Sequence, residues 1–247
     1  MRRTGPEIDA LAAALRSSVR TVILTGAGVS AESGIPTFRD PQDGLWARYR
    51  AEDLATPEAF ARDPRLVWQW YQWRREAIAA AKPNAAHLAI AALDRLLPGL
   101  ALVTQNVDGL HQQAGSRSVL ELHGNIHRNR CSRENHLIDM DARGTSKPPR
   151  CPSCGAYIRP DVVWFGEPLP PQILAASQAA AANCDLLIAV GTSSMVLPAA
   201  DLIALARSAG AGFAEVNPQE TLVSSQADIC LRMPAGEAFP AVLAALD

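Results

Sequence analysis

The sequence predicts an α/β fold: a doubly wound parallel sheet carrying two insertions, one helical and one containing cysteines. Three observations point there. Short aliphatic runs alternate with stretches of helical apolar spacing along most of the chain, beginning with residues 21–25 and 100–104. Strands that alternate with helices pair in parallel and are covered on both faces. The first such run opens directly into Gly26-Ala27-Gly28-Val29-Ser30-Ala31. Between about 126 and 160, arginines, cysteines and prolines replace the aliphatic pattern, which then resumes.

Taken in order, residues 7–17 have the spacing of an amphipathic helix and 20–25 that of a buried strand. Residues 34–48 hold Gly34, Pro36, Pro41 and Gly44 and read as a long loop, which a compact domain keeps for function. Residues 64–82 and 84–97 read as helices, the second capped by Asn84 after Pro83. Strands follow at 100–104 and 119–122, and then the cysteine-containing module. Beyond it come an alanine-rich helix around 175–182, a strand at 185–190, a helix at 199–209, strands at 211–216 and 227–232, and a helix at 236–246. The whole of 1–247 therefore reads as one domain. Its core occupies approximately 1–48, 84–125 and 160–247, with the helical insertion at 49–83 and the small module at 126–159.

Composition narrows the function. Apolar residues make up 48% of the 247, enough for a sizeable core, and the net charge is −2. With no basic excess and no polybasic run, neither nucleic acid nor an anionic membrane is an expected partner. Glu7 and Asp9 interrupt the N-terminal stretch that starts with Arg2 and Arg3, so it reads as a helix and not as a signal peptide. The expected setting is cytoplasmic. Five cysteines there point to metal binding or catalysis, not to a disulfide framework.

The motifs carry chemistry at strand ends. Gly26, Gly28 and Ala31 fit the G-x-G-x-x-G/A fingerprint of a Rossmann-like sheet, in which backbone N–H groups face a pyrophosphate. Gln105-Asn106-Val107-Asp108 follows a strand, where polar side chains reach a ligand; Asp108 reads equally as a cap of the segment from Gly109. His123, at a strand end beside Gly124, is a general base or a structural histidine. Tyr71 and Arg74 share a helix face and either converge on a carboxylate or pack as a surface pair. Residues 162–167, Val-Val-Trp-Phe-Gly-Glu, read as a buried strand. Cys151 and Cys154 form a C-x-x-C pair, whereas Cys131 is followed three residues later by Glu134. The fourth position of a metal site is left open between Glu134, His127, His136, water and no metal at all. Cys184 and Cys230 read as small buried hydrophobes.

The order of these motifs, GAG…GIPTFR, TQNVD, LHG, CPSCG, VVWFGE and GTSS, resembles the sirtuins, the NAD-consuming protein-lysine deacylases, across roughly residues 20–240. The resemblance implies an NAD site lined by Gly26, Ala27, Gly28, Ser30, Arg39 and Trp46. Around the nicotinamide and its ribose it places Gln105, Asn106 and Asp108. Gly191, Thr192 and Ser193 would form a second phosphate-and-ribose loop, with Asn217, Pro218, Gln219 and Ala235 toward the adenosine. It places His123 and Asn106 in catalysis. The acyl-lysine oxygen attacks the ribose carbon that bears nicotinamide, and His123 then takes a proton from a ribose hydroxyl. Free lysine, nicotinamide and O-acyl-ADP-ribose result. Val163, Phe165 and Gly166 would capture the peptide by strand addition. Ala55, Tyr71 and Arg74 resemble the subclass that removes succinyl, malonyl and glutaryl groups, so desuccinylation or demalonylation is expected to exceed deacetylation. The resemblance also implies a zinc-ribbon-like module with Cys131, Cys151 and Cys154 as metal ligands, and a monomer acting on acylated lysines of proteins. Mono-ADP-ribosyl transfer would use the same NAD site with another acceptor. A non-catalytic NAD sensor would bind NAD without releasing nicotinamide. A dehydrogenase is disfavoured, because no acidic residue is clearly placed about 20 residues after the glycines.

Overall fold

A computed structural model describes residues 5–35, 46 and 49–246. Strand β1 (Thr21–Thr25) lies at the centre of a parallel sheet. On one side it pairs with β2 (Leu100–Thr104), which pairs with β3 (Val119–Glu121). On the other it pairs with β7 (Leu186–Val190), followed by β8 (Gly212–Val216) and β9 (Ile229–Leu231). Among the described residues the order is β3-β2-β1-β7-β8-β9. The strand order reverses between β1 and β7, and such a switch point opens a crevice at the carboxyl ends of the strands.

Alternation along β1 explains the two layers of helix. Ile23 packs into a core with α1 (Pro6–Ser17), α5 (Ala85–Leu96) and α9 (Ala235–Leu246). Its neighbours Val22 and Leu24 face the other way, onto α7 (Pro171–Asn183) and α8 (Asp201–Ser208). Asn84 caps α5 as expected, its side chain accepting from the N–H groups of Ala86 and His87. Among the described residues no helix is long and apolar enough to cross a membrane.

The helical insertion contains α2 (Ala51–Leu54), α3 (Pro57–Arg62) and α4 (Pro64–Ala80). Pro64 at the first helical position and Asp63, which accepts from the Leu66 N–H, start α4. Two faces of α4 are buried. Val67, Trp70, Tyr71 and Ile78 join an aromatic cluster with Phe60 and Trp164. Trp68, Gln72 and Arg75 face the small module: the Trp68 indole donates to Thr145, Gln72 to the Ala142 carbonyl, and Arg75 to the carbonyls of Ile126 and Arg128. That module is an antiparallel sheet of β4 (Gly124–Cys131), β5 (Leu137–Ile138) and β6 (Ile158–Val162) in the order β5-β4-β6.

A 3-10 helix spans Ala27–Ser33. One expectation needs adjusting. Residues 162–167 are not one strand, because β6 ends at Val162. The Glu167 carboxylate accepts the Trp164 N–H, and Gly166 at φ 85° turns the chain away.

Candidate active site

Several of the residues singled out as a cofactor site lie together at the carboxyl edge of the parallel sheet. The Gly26 N–H donates to the Val190 carbonyl at 2.9 Å and the Gly28 N–H to the Gly191 carbonyl at 2.8 Å, locking the loops after β1 and β7 together. Only glycine permits this: a Cβ on Gly28 would lie 2.8 Å from Gly191 backbone, and one on Gly191, at φ 56°, would lie 2.5 Å from the Val29 nitrogen. Ala27 stands half-buried at the start of the 3-10 helix.

Side chains then join the loops. Ser30 Oγ donates to Asp108 Oδ2 at 2.8 Å and accepts from Asn106 Nδ2 at 3.0 Å. Gln105 Nε2 donates to Thr192 Oγ1 at 2.9 Å, and Asn217 Nδ2 to the Thr192 carbonyl at 3.0 Å. Asp108 Oδ1 accepts the Leu110 N–H at 2.9 Å, as its reading as a cap expects, while Oδ2 accepts from Ser30. Ser193 is half-buried in the second loop; Pro218 and Gln219 are exposed beyond β8. Ala235 is buried at the start of α9, where the Gly236 N–H donates to Glu32 Oε2 at 2.7 Å. Trp46 is buried against Tyr49 and Trp73. Arg39 lies outside the described residues.

His123 sits where the parallel sheet hands over to the small module. Its Nδ1 lies 2.9 Å from the Gln105 carbonyl, an oxygen that only accepts. Nδ1 therefore carries the hydrogen, and Nε2 keeps its lone pair. Burial pushes the imidazole pKa below 6.5, partly opposed by the bond to Gln105. A neutral ring whose Nε2 keeps its lone pair has the chemistry a general base needs at neutral pH. The Val163 N–H donates to the His123 carbonyl at 2.9 Å, and the Phe165 N–H to the Ala55 carbonyl at 2.9 Å. Phe165 itself is 46% exposed, next to the exposed Gly166.

Tyr71 is buried, and its hydroxyl accepts the Trp164 Nε1–H at 2.9 Å. Burial drives its pKa up to about 12, so the phenol stays protonated. Arg74, on the same helix face, lies over the Trp70 ring at 5.1 Å; burial lowers its pKa, with Tyr71 and Asp108 as opposing neighbours.

Beneath these loops runs a polar network that sequence reasoning missed. His111 Nε2 meets Thr25 Oγ1 at 3.0 Å, Thr25 donates to Thr104, and His87 Nε2 lies 3.4 Å from Ser30 Oγ. The two imidazoles are 4.8 Å apart. Nothing in the spacing of isolated histidines distinguishes them from His123. Ser194 was also missed: its φ is 55° and its buried Oγ has no partner among the described residues. That orphaned hydroxyl, the interlocked glycine loops and the ring of amide and carboxylate side chains fit a dinucleotide with ribose hydroxyls and phosphates.

In the small module, the Sγ atoms of Cys131, Cys151 and Cys154 and a Glu134 carboxylate oxygen lie within 4.8 Å of one another. Cys131 Sγ and Cys154 Sγ are 3.4 Å apart, close to the edge of about 3.8 Å expected around a tetrahedral zinc. Burial would raise the Cys131 thiol, but backbone N–H groups of Glu134 and Arg133 and the other thiols bring it down to about 7. Three thiols and a carboxylate in this arrangement fit zinc. His136 flanks the cluster, 3.5 Å from Glu134 Oε2 and 3.8 Å from Cys151 Sγ. His127 is elsewhere, its Nε2 bonded to the Asp108 carbonyl at 3.0 Å.

Comparison with known proteins agrees with this geometry. A sequence model described as Sir2 family matches residues 26–198. A protein of Pseudomonas aeruginosa named NAD-dependent protein deacylase 1 is 52% identical over 237 residues, covering 93% of this chain and 95% of its own. An NAD-dependent protein deacylase of Aeropyrum pernix is 53% identical over 223 residues, covering 90% and 91%. Among solved structures, a Sir2 homologue in complex with NAD superposes with a TM-score of 0.91 at 46% identity, covering 96% of this chain and 93% of the other. A Sir2–p53 peptide–NAD+ complex gives 0.85 at 32% identity, covering 95% and 96%.

Proposed function

The chain belongs to the Sir2 family, and on that premise we propose that it is an NAD-dependent protein-lysine deacylase whose pocket prefers acidic acyl groups. The relatives named as deacylases support the first part. The observation that carries the second is the pairing, on one face of α4, of a buried, protonated phenol and a half-buried guanidinium. An arginine held away from water gains from an anionic partner, and its planar fork suits a carboxylate. Ala55, small and buried, leaves room for a longer acyl chain beside them.

NAD, when bound, supplies the ribose carbon to which the acyl group passes and the nicotinamide that leaves. Gly26, Ala27, Gly28, Ser30, Gly191, Thr192, Ser193 and Ser194 would hold its phosphates and riboses. Gln105, Asn106 and Asp108 would orient the nicotinamide end, and Asn217, Pro218, Gln219 and Ala235 the adenosine end. His123 Nε2 accepts a proton from a ribose hydroxyl, and the Gln105 carbonyl stabilises the imidazolium through Nδ1–H. The edge of β6 and the backbone of Val163, Phe165 and Gly166 would offer groups to the peptide. Cys131, Cys151, Cys154 and Glu134 would hold zinc as a structural closure of the module.

The test is nicotinamide release from matched succinyl-lysine and acetyl-lysine peptides. Succinyl is expected to be the better substrate in kcat/KM. Arg74→Met is expected to cost about tenfold to a hundredfold on succinyl, the worth of a charge-assisted hydrogen bond, and little on acetyl. An equal loss on both peptides would remove Arg74 from the role of carboxylate reader.

A further inference from the structure

Trp164 is the side chain in this region whose role the functional reading leaves open. Its indole N–H donates to the Tyr71 phenol oxygen at 2.9 Å. A hydroxyl that accepts a hydrogen bond from one side cannot aim its own hydrogen at that donor. The Tyr71 O–H is thereby turned away from Trp164. Were the N–H absent, the phenol hydrogen could rotate toward residue 164.

The indole is itself held on three sides. The Arg159 guanidinium stacks over its ring at 3.4 Å, and Phe60 tilts against it at 5.2 Å. Arg159 is fixed by a two-pronged pair with Glu167, at 2.5 and 2.8 Å. Glu167 closes the set by accepting the Trp164 backbone N–H at 2.9 Å. Arg159, Trp164 and Tyr71 are all buried, so these bonds are not diluted by solvent. The next residue, Phe165, ties its N–H to the carbonyl of Ala55. One short segment thus anchors both the phenol and the small residue of the acyl pocket.

We infer that Trp164, braced by Arg159 and Glu167, is a specificity-positioning residue that orients the Tyr71 hydroxyl as a hydrogen-bond donor to the distal carboxylate of an acidic acyl group. The inference rests on the acidic-acyl reading of the pocket. Arg74 supplies charge in that reading, whereas Trp164 supplies direction, acting only through Tyr71.

The experiment is a double-mutant cycle on Trp164→Phe and Tyr71→Phe with succinyl-lysine and acetyl-lysine peptides. Trp164→Phe is expected to lower kcat/KM on succinyl about tenfold, chiefly through KM, the scale of one oriented hydrogen bond. Deacetylation is expected to stay within about twofold, because an acetyl group has no carboxylate to read. In the Tyr71→Phe background the same change is expected to cost nothing further. Benzothienylalanine at position 164 keeps the bicyclic ring and its stacking on Arg159 but replaces N–H by sulfur. It serves as the second variant should phenylalanine fail to fold, and is expected to give the same split. A wild-type enzyme without succinyl preference overturns the pocket reading and this inference together. A succinyl-preferring wild type whose position-164 variants lose both activities equally, or whose losses add to that of Tyr71→Phe, overturns the inference alone.

Discussion

At the scale of single residues, what matters is which nitrogen of an imidazole holds its proton. His123 is committed by the Gln105 carbonyl to the tautomer that leaves Nε2 free, and burial lowers its pKa below 6.5. Catalysis by a neutral base therefore persists down through pH 6.5 and fails only at lower pH, as the ring protonates. The acid limb of kcat/KM for nicotinamide release from an acyl peptide is expected below 6.5, and His123→Asn is expected to abolish turnover while leaving NAD binding, read by calorimetry, nearly intact. The sequence named this residue from its strand-end position beside Gly124. It could not name the tautomer, which depends on a carbonyl from a loop 18 residues away. Ser194 escaped notice for a similar reason, since its positive φ and an Oγ without a partner among the described residues exist only once the chain is folded.

At the scale of elements, α4 shows what a periodic pattern can and cannot reveal. Its 3.6-residue spacing was legible, as was the Tyr71–Arg74 face. That a second face, through Trp68, Gln72 and Arg75, would be buried against another module was not, because Gln72 and Arg75 beside the lone Trp68 read as a solvated stripe. Arg75 is 6% exposed, and burial lowers its pKa to about 10, yet it donates to two carbonyls and to Asn129 Oδ1. Replacing it with methionine would leave those acceptors unsatisfied inside the protein. Arg75→Met is expected to lower the unfolding free energy by roughly 2–4 kcal/mol, read as a lower urea midpoint at an unchanged m-value. The stretch after β6 shows the converse limit. Apolar residues at 162–165 looked like strand, but a carboxylate two positions further on and a glycine at positive φ folded them into a turn.

At the scale of the whole molecule, the alternation of strands and helices and the fingerprint after β1 were enough to read the doubly wound sheet and to single out its carboxyl edge as the candidate site. What lies under that crevice was not legible: a buried polar layer of His87, His111, Thr25 and Thr104 between sheet and helices. Burial, reinforced by neighbouring His87, lowers the His111 pKa from 6.5 to about 3. The unfolded chain takes up this proton near pH 6.5, whereas the folded protein refuses it until about pH 3. Stability from this group is therefore complete above 6.5 and declines as the pH falls toward 3, by on the order of 1.4 kcal/mol per unit crossed. Denaturant titrations between pH 7 and 4 are expected to show that decline, and a His111→Asn variant to flatten it.

Strand β4 has a mechanical consequence. It starts at Gly124, immediately after the base, and ends at Cys131 in the thiol cluster, eight residues in all. Its two ends pair with Val162 and Ile158 of β6, four steps apart, so at about 3.3 Å per step it forms a strut of roughly 13 Å. A rigid strut of that length would convert a 1 Å displacement at the sulfur end into a tilt of about 4° at the imidazole end. The pairing of β4 with β6 is irregular between Asn125 and Asn129, so the strut has a compliant joint near its catalytic end. A displacement at the sulfur end would thus reach His123 as a small tilt, softened at that joint.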